Sequence, residues 1–182
     1  MRDAILHLFP GAVVGRDFTL RDDGEGPYID QWKLPSPKPS PAQLLIAGNE
    51  ALCGTLCKAI DRAADAARVA VVGAPLRDEE YKLAATEAKA FKAARYPAEA
   101  VPRTVAAWAI GGRTAQQAAD NILVESAAYT EALYQIREAR LGAKEMVRQA
   151  MIAGEVDQAQ DIAAETIAAI ESAMSGIGNS RG

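Results

Sequence analysis

Apolar residues recur at helical spacing along most of the 182-residue chain and alternate with polar residues in one short region near the N-terminus. Residues 5–9 follow the helical pattern, which Pro10-Gly11 ends. The alternation covers 17–20 and 27–32, and the turn between these runs contains Asp23-Gly24, a pair typical of hairpins. The sequence therefore predicts a short helix and a β-hairpin that covers it. The side chains expected to cover the helix are Phe18, Leu20, Tyr28 and Trp32.

Alternate prolines mark residues 35–41, whose sequence is Pro-Ser-Pro-Lys-Pro-Ser-Pro. Proline fixes φ and lacks a backbone donor, so this segment is predicted to be an extended, semi-rigid linker. It separates residues 1–34, expected to form a small α/β-hairpin unit that docks on a partner, from a helical domain of residues 42–174. Residues 175–182 are predicted to form a flexible tail.

The rest of the chain has the pattern of long helices separated by turn residues. Ser40 and Thr114 are predicted to cap two long helices, and Gly154 is predicted to end the second of them. The fold class is therefore mainly α, with alanine-rich helices that form a bundle or a coiled coil. The turns permit either a compact bundle or an extended stalk. The predicted helices are 41–72, 78–95, a short one opened by Pro102, one capped by Thr114, and 156–174.

Composition changes this picture because alanine supplies much of the apolar content. The chain has 39 alanines but only three Phe, five Tyr and two Trp, and two of the alanines lie within residues 1–40. Alanine has the lowest intrinsic cost in a helix, so the helices are expected to pack closely through small side chains. The formal net charge of −4 argues against binding to nucleic acid or to anionic membranes. No apolar run approaches the roughly 20 residues that span a bilayer, so no membrane insertion is predicted.

Three groups of residues have the chemical types that active or metal sites use. His7, the one histidine of the chain, is more typical of a half-buried structural position than of catalysis. Cys53 and Cys57 share a helix face and would supply half of a zinc site, but buried helix positions are favoured for both. The acidic turn 22–25 lacks the ligand spacing of a calcium loop and is interpreted as a solvated hairpin tip. We therefore predict no catalytic residue, no metal and no cofactor.

An ordered series of motifs makes the first 45 residues more specific than their composition. Its members are Leu8-Phe9-Pro10-Gly11-Ala12, Arg21-Asp22-Asp23-Gly24-Glu25-Gly26-Pro27-Tyr28-Ile29, Trp32-Lys33-Leu34-Pro35 and Pro37-Lys38-Pro39. The series resembles the XkdW-like segment of small tail-region proteins in bacteriophages and phage-like elements, and Lys33 departs from the asparagine of many relatives. The helical part, including Val101-Pro102-Arg103 and Trp108, is similar to segments attached to phage tail and tail-fibre proteins.

The resemblance implies a non-enzymatic tail structural protein at the baseplate, the tail tip or the fibre attachment. Its expected location is the virion tail, and the host cytoplasm during assembly. Its expected partners are other tail or fibre proteins and further copies of the chain, with a trimer expected by analogy with fibres. Two alternatives stay open: an assembly chaperone that is absent from the mature virion, and an enzyme that uses a metal held by Cys53 and Cys57.

Large aromatic side chains are the candidates for protein contacts, because such residues dominate interface energetics. Tyr28 and Trp32 are the leading candidates, and Phe18 and Trp108 follow. For Trp108, a core position in the helical part is the favoured alternative, because that part has few other large side chains.

Overall fold

The computed structural model describes residues 1–73 and 77–179 of the chain. Within these ranges the chain forms six helices and one antiparallel hairpin, so the predicted mainly α fold class is confirmed. None of the described helices combines the length and apolar character needed to traverse a bilayer. The elements are α1 (Arg2–Leu8), β1 (Phe18–Asp22), β2 (Pro27–Trp32), α2 (Pro41–Val72), α3 (Arg77–Ala93), α4 (Arg103–Trp108), α5 (Ala115–Ala153) and α6 (Val156–Asn179).

The long helices α2 and α5 begin with the same reciprocal arrangement of side chains. The Ser40 hydroxyl accepts a hydrogen bond from the Gln43 backbone N–H at 3.2 Å, and the Gln43 side chain accepts one from the Ser40 N–H at 2.8 Å. Thr114 and Gln117 repeat the pattern at the start of α5, with distances of 3.2 and 2.9 Å. Each capping box satisfies two backbone donors at a helix start. The predicted starts of both helices are confirmed.

A glycine in the left-handed region ends both α2 and α5. Gly73 has a φ of +74° and Gly154 has a φ of +80°, values that residues with a Cβ rarely adopt. After α5, the Glu155 N–H bonds to the Ala150 carbonyl at 2.9 Å, which satisfies an acceptor at the helix end. The predicted break at Gly154 is confirmed.

The last helix is longer than the sequence predicts. The predicted helix ends at Met174 and a flexible tail follows over 175–182, whereas α6 continues to Asn179. Each residue added to an existing helix gains a hydrogen bond, and this gain offsets the cost of about 1 kcal/mol for a glycine in the helix. Residues 180–182 of the predicted tail lie outside the described residues.

The fold contains two compact units, and each of α2, α5 and α6 contributes residues to both. Unit 1 consists of residues 1–61 and 142–167, and unit 2 consists of residues 62–141 and the chain from residue 168 onward. The sequence predicts successive segments with boundaries at residues 34 and 41, whereas each of these units combines separate stretches of the chain. The predicted segments therefore stay a prediction.

Small side chains build most of the helical core of unit 1. Ile60 and Val147 are fully buried in this core, together with alanines from α5 and α6. Alanine lets two helix backbones approach closely, and the few larger side chains fill the remaining space. Within the same unit, the Lys144 ammonium group pairs with the Asp61 carboxylate at 2.6 Å and links α5 to α2. The buried set is Cys57, Ile60, Ala143, Val147, Ala150, Met151, Ala159 and Ala163.

Two clusters of buried side chains lie in unit 2. In one of them, α3, α4 and α5 meet around Phe91 and Val105. Val105 supplies the buried side chain of α4, whereas Trp108 is exposed, so the core position that the sequence favours for Trp108 is not observed. In the other cluster, α2, α5 and α6 meet. Its buried members are Ala64, Ala67, Val71, Ile136 and Ile170.

We expect Ile60→Ala to lower the free energy of unfolding by about 2–5 kcal/mol, because the substitution removes buried methyl groups and leaves a cavity. Ile152→Ala is the matched control on α5, where Ile152 is 86% exposed, and it should change that free energy by no more than about 0.5 kcal/mol. Urea denaturation followed by circular dichroism measures both values. Similar losses in the two variants would contradict the burial of Ile60.

Candidate interaction surface in the N-terminal segment

A β-bulge on β2 decides which side chains of the hairpin face α1. Leu20 pairs with Ile29 whereas Thr19 pairs with Gln31, so Asp30 is the extra residue. The Thr19 hydroxyl accepts a hydrogen bond from the Gln31 N–H at 3.1 Å and donates one to the Asp30 carboxylate at 3.3 Å. Because strand side chains alternate between two faces, one extra residue moves everything beyond it to the opposite face.

The bulge separates Tyr28 from Trp32, which an unbroken alternation would place on one face. Ile29 is buried and Trp32 is half-buried, and both pack against the core that covers α1. Tyr28 lies on the outer face, where its side chain is exposed. The prediction that Tyr28 covers the helix is therefore wrong, and Ile29 takes that position. The sequence contains no local signal for the bulge, because it arises only when β1 and β2 pair.

Phe18 and Trp32 belong to the core of the N-terminal segment. Phe18 is fully buried. The Trp32 ring packs against Phe9 at a centroid distance of 5.2 Å and against Phe18 at 6.2 Å, and its indole N–H donates to the Ser36 carbonyl at 2.7 Å. A buried ring offers no surface to a partner. Phe18, which the sequence suggests as a contact residue, therefore instead holds the hairpin on α1.

Hydrogen bonds to acidic side chains hold the tip of the hairpin. The Asp22 carboxylate accepts bonds from the Gly24 and Gly26 backbone N–H groups at 2.9 and 3.1 Å. The Tyr28 hydroxyl donates to the Asp23 carboxylate at 2.6 Å, and this bond raises the pKa of Tyr28. Tyr28 is thus oriented at the surface by its neighbour. In the part of the chain that the structure describes, no three His, Cys, Asp or Glu side chains are grouped to hold a metal ion.

The proline-rich segment forms hydrogen bonds with the hairpin. Pro39 is buried, and the Lys38 ammonium group donates to the Ile29 carbonyl at 3.1 Å. Leu34 and Leu44, on either side of the segment, pack against the buried cluster of the hairpin and α1. Residues 35–41 are thus flanked by two leucines that pack against one buried cluster.

The Asp17 carboxylate holds the loop that precedes β1. It accepts a hydrogen bond from the Val13 backbone N–H at 2.8 Å and pairs with the Arg16 guanidinium group at 2.8 Å. Two hydrogen bonds lower the pKa of Asp17 to about 2, and the bond from Arg16 contributes more than the bond from Val13. The carboxylate therefore keeps its negative charge in moderately acidic solution. The hydrogen bonds that hold the loop are retained under the same conditions.

Exposed aliphatic side chains add candidates for partner contact that the aromatic residues alone do not indicate. Val13 and Val14 are exposed in the loop before β1, and Leu45 and Ile46 are exposed at the start of α2. A contiguous patch of exposed apolar groups is typical of protein contact sites, and these four side chains are candidates for such a patch. The run Leu44–Ile46 is a signal that sequence reasoning missed, because one face of a helix does not bury three successive residues.

Trp108 belongs to a different unit from the other predicted contact residues. It belongs to unit 2, whereas Phe18, Tyr28 and Trp32 belong to unit 1. The Arg113 guanidinium group lies 5.6 Å from the centre of the Trp108 ring. A cation over the ring face stabilises an exposed indole, so this contact explains how Trp108 is held at the surface.

His7 and the two cysteines take part in packing between helices of unit 1. His7 is exposed and not half-buried as predicted, and its Nε2 lies 3.1 Å from Glu50 Oε2, which links α1 to α2. Cys57 is buried in the helical core, and Cys53 packs against that core. Burial raises the pKa of the Cys53 thiol, which disfavours the thiolate that metal binding or nucleophilic attack requires.

We expect Arg16→Gln to raise the pKa of Asp17 from about 2 toward its ordinary value of 3.8, because the variant removes the charged donor. Since the folded-state pKa lies below the ordinary value, ionised Asp17 stabilises the fold above pH 3.8, and this contribution is lost as the pH falls through about 2. An NMR titration of the carboxyl carbon measures the pKa in both chains. A wild-type pKa close to 3.8 would contradict the hydrogen bonds described for this loop.

The chain is similar to known proteins in the segment that contains α1, the hairpin and the start of α2. Residues 1–52 match the family model described as XkdW protein. A stretch of 42 residues is 50% identical to the phage-like element PBSX protein XkdW of Bacillus subtilis (strain 168), and the match covers 23% of this chain and 38% of that protein. The chain thus spans less than two fifths of the length of this relative, and no solved structure matches it. The predicted resemblance of the N-terminal segment to XkdW proteins is therefore confirmed, and it associates the chain with phage-like elements.

Proposed function

We propose that the chain is a non-enzymatic structural protein of a phage tail, located at the baseplate, the tail tip or the fibre attachment. The observation that carries the proposal is the match of residues 1–52 to the XkdW family. The matched range includes a complete packed core, from α1 through the hairpin to Leu44 of α2. The similarity thus extends over a folded segment and not over an isolated motif.

The N-terminal segment is proposed to contact another tail or fibre protein through its exposed side. Tyr28 supplies an exposed aromatic ring that the Asp23 carboxylate already orients, so binding costs little ordering of that side chain. Val13, Val14 and Leu45 add exposed apolar surface in the same segment. The proposed location is the virion tail, with residence in the host cytoplasm during assembly.

An assembly chaperone for a tail fibre, absent from the mature virion, is the second candidate function. The exposed apolar side chains favour it, because a chaperone presents apolar surface before it binds its client. Leu45 is 67% exposed in the free chain. The two candidates differ in whether the chain stays with the finished particle.

We expect the chain to be present in gradient-purified particles of a phage that encodes it, at a fixed ratio to a known tail protein. A copy number that is a multiple of three or six is expected, because tail attachment sites share the rotational symmetry of the tail. Quantitative mass spectrometry measures the ratio, and tail-less capsids are the control. Absence from particles despite expression in infected cells would exclude the tail role and support the chaperone.

We expect Tyr28→Ser to reduce incorporation of the chain into particles by roughly tenfold, because central aromatic residues carry much of the affinity of an interface. Tyr81→Ser is a matched control in unit 2, since Tyr28 is 40% exposed and Tyr81 39% exposed. Incorporation is measured by mass spectrometry of particles produced with each variant, and thermal melts check the fold. Equal incorporation of the two variants would show that Tyr28 is not a contact residue.

A further inference from the structure

The outer edge of β1, on the side away from β2, presents backbone groups at Leu20 and Asp22. In an antiparallel pair, residues that exchange two hydrogen bonds with the partner strand alternate with residues whose N–H and C=O groups point away from it. Asp22 pairs with Pro27, which has no N–H and so cannot exchange two bonds. Asp22, and Leu20 two residues before it, therefore direct their N–H and C=O groups to the outer edge.

A contact of β2 agrees with this orientation. Leu20 pairs with Ile29, whose carbonyl accepts a hydrogen bond from the Lys38 ammonium group at 3.1 Å, as expected for a carbonyl on the outer side of its strand. In the described part of the chain, the backbone groups of Leu20 and Asp22 form no hydrogen bond with residues outside the two strands. Two donors and two acceptors are therefore left open on the edge of β1.

The neighbouring position on the same edge is already bonded by the chain itself. The Gly15 N–H donates to the Phe18 carbonyl at 2.8 Å, and Val14 forms a parallel bridge with Phe18. This segment thus covers the start of β1 in the manner of a short third strand. The open part of the edge is Leu20–Asp22, where Leu20 is half-buried and Asp22 is exposed.

A second copy of the chain is a poor occupant of this edge. Two copies of β1 related by a twofold axis pair in the antiparallel direction. If Leu20 lies opposite Leu20, then Asp22 comes opposite Phe18, whose carbonyl already bonds to Gly15. If Leu20 lies opposite Asp22, then Arg21 comes opposite Arg21, and like charges directly opposite each other are destabilising. Both registers are disfavoured, which selects a segment of a different protein.

We propose that the outer edge of β1 binds an extended segment of a different protein, which adds to the hairpin as an antiparallel third strand. An extended backbone supplies donors and acceptors at the two-residue spacing of Leu20 and Asp22. The neighbouring bond between Gly15 and Phe18 shows that this edge accepts such a backbone. The interaction rests on the hairpin alone and does not require the chain to be a tail protein.

The side chains along the edge define the chemistry of the added strand. Leu20 packs against the buried cluster of the N-terminal segment, so an apolar residue opposite it covers the rest of its side chain. The exposed acidic residues Asp22, Asp23 and Glu25 outnumber Arg21 at this end of the hairpin, so a basic residue is favoured opposite Asp22. The added strand is therefore expected to have a basic and an apolar residue two positions apart.

An NMR titration of the full chain with a capped peptide of sequence Thr-Thr-Lys-Thr-Ile-Thr-Thr tests the proposal. The peptide should shift the amide signals of Leu20 and Asp22 and slow their hydrogen exchange, because both N–H groups gain an acceptor. The same peptide with N-methyl groups on its lysine and isoleucine is the control. It should bind at least roughly tenfold more weakly, because it lacks the two donors that face the edge.

A matched pair of variants at position 22 tests the outward N–H. Asp22→Pro and Asp22→Ala both remove the carboxylate that binds the Gly24 and Gly26 N–H groups, but only the proline also removes the N–H of residue 22. That N–H is not part of the pairing with β2, so the hairpin tolerates its loss. The dissociation constant of the peptide should be roughly tenfold higher for Asp22→Pro than for Asp22→Ala. Circular dichroism melts check that both variants fold.

Any one of four results would overturn the proposal. The first is the absence of peptide-dependent changes at Leu20 and Asp22, and the second is equal affinity for the N-methylated peptide. The third is equal affinity of two folded variants at position 22. The fourth is a change at Leu20 and Asp22 that follows the concentration of the chain without peptide, which would assign the edge to a second copy instead. The comparison of the two peptides uses the unaltered chain, so it decides the proposal even if Asp22→Pro does not fold.

Discussion

Packing of helices through small side chains is the constraint on which the helical core of this protein depends. In unit 1, alanines of α5 and α6 share a core with only a few larger side chains, of which Ile60 and Val147 are fully buried. Each alanine buries little apolar area, so the stability of this core depends on many small contacts together with the few larger side chains. Helices that pack in this way also leave larger apolar residues, such as Tyr134 and Leu141, on their outer sides. The same composition therefore explains both a core of small side chains and the larger apolar residues exposed on these helices.

The small core of the N-terminal segment is built from a few large side chains, in contrast to the alanine-rich core of the long helices. Phe18 and Ile29 are buried, and the Trp32 ring spans the space between Phe9 and the hairpin. The β-bulge at Asp30 is what brings Ile29 and Trp32 to one face, and it releases Tyr28 to the other. One irregularity in one strand thus divides the aromatic residues into a structural group and an exposed one. The similarity to XkdW proteins covers this whole arrangement.

Features that depend on near neighbours in the chain were predictable from the sequence, and features that depend on distant pairing were not. Ser40, Thr114 and Gly154 act within a few residues of their own positions, so the helix bounds that they set could be derived from local patterns. The burial of Pro39 and the outward position of Tyr28 arise only after β1 pairs with β2 and the hairpin lies on α1. For the candidate surface, residue type suggested both Tyr28 and Phe18 as contact residues and did not separate the exposed ring from the buried one, because burial is a property of the folded segment.

The two tryptophans of the chain are distributed so that each unit contains one of them. In unit 1, the Trp32 ring is packed between aromatic neighbours and its N–H is bonded to a carbonyl. In unit 2, the Trp108 ring is open to water beneath the Arg113 guanidinium group. Indole emission shifts to longer wavelength as the ring becomes solvated, so the Trp108 ring is expected to emit at longer wavelength than the Trp32 ring. The protein therefore contains its own optical label for each unit, and a chain with phenylalanine at position 108 would display the melting of unit 1 without any attached dye.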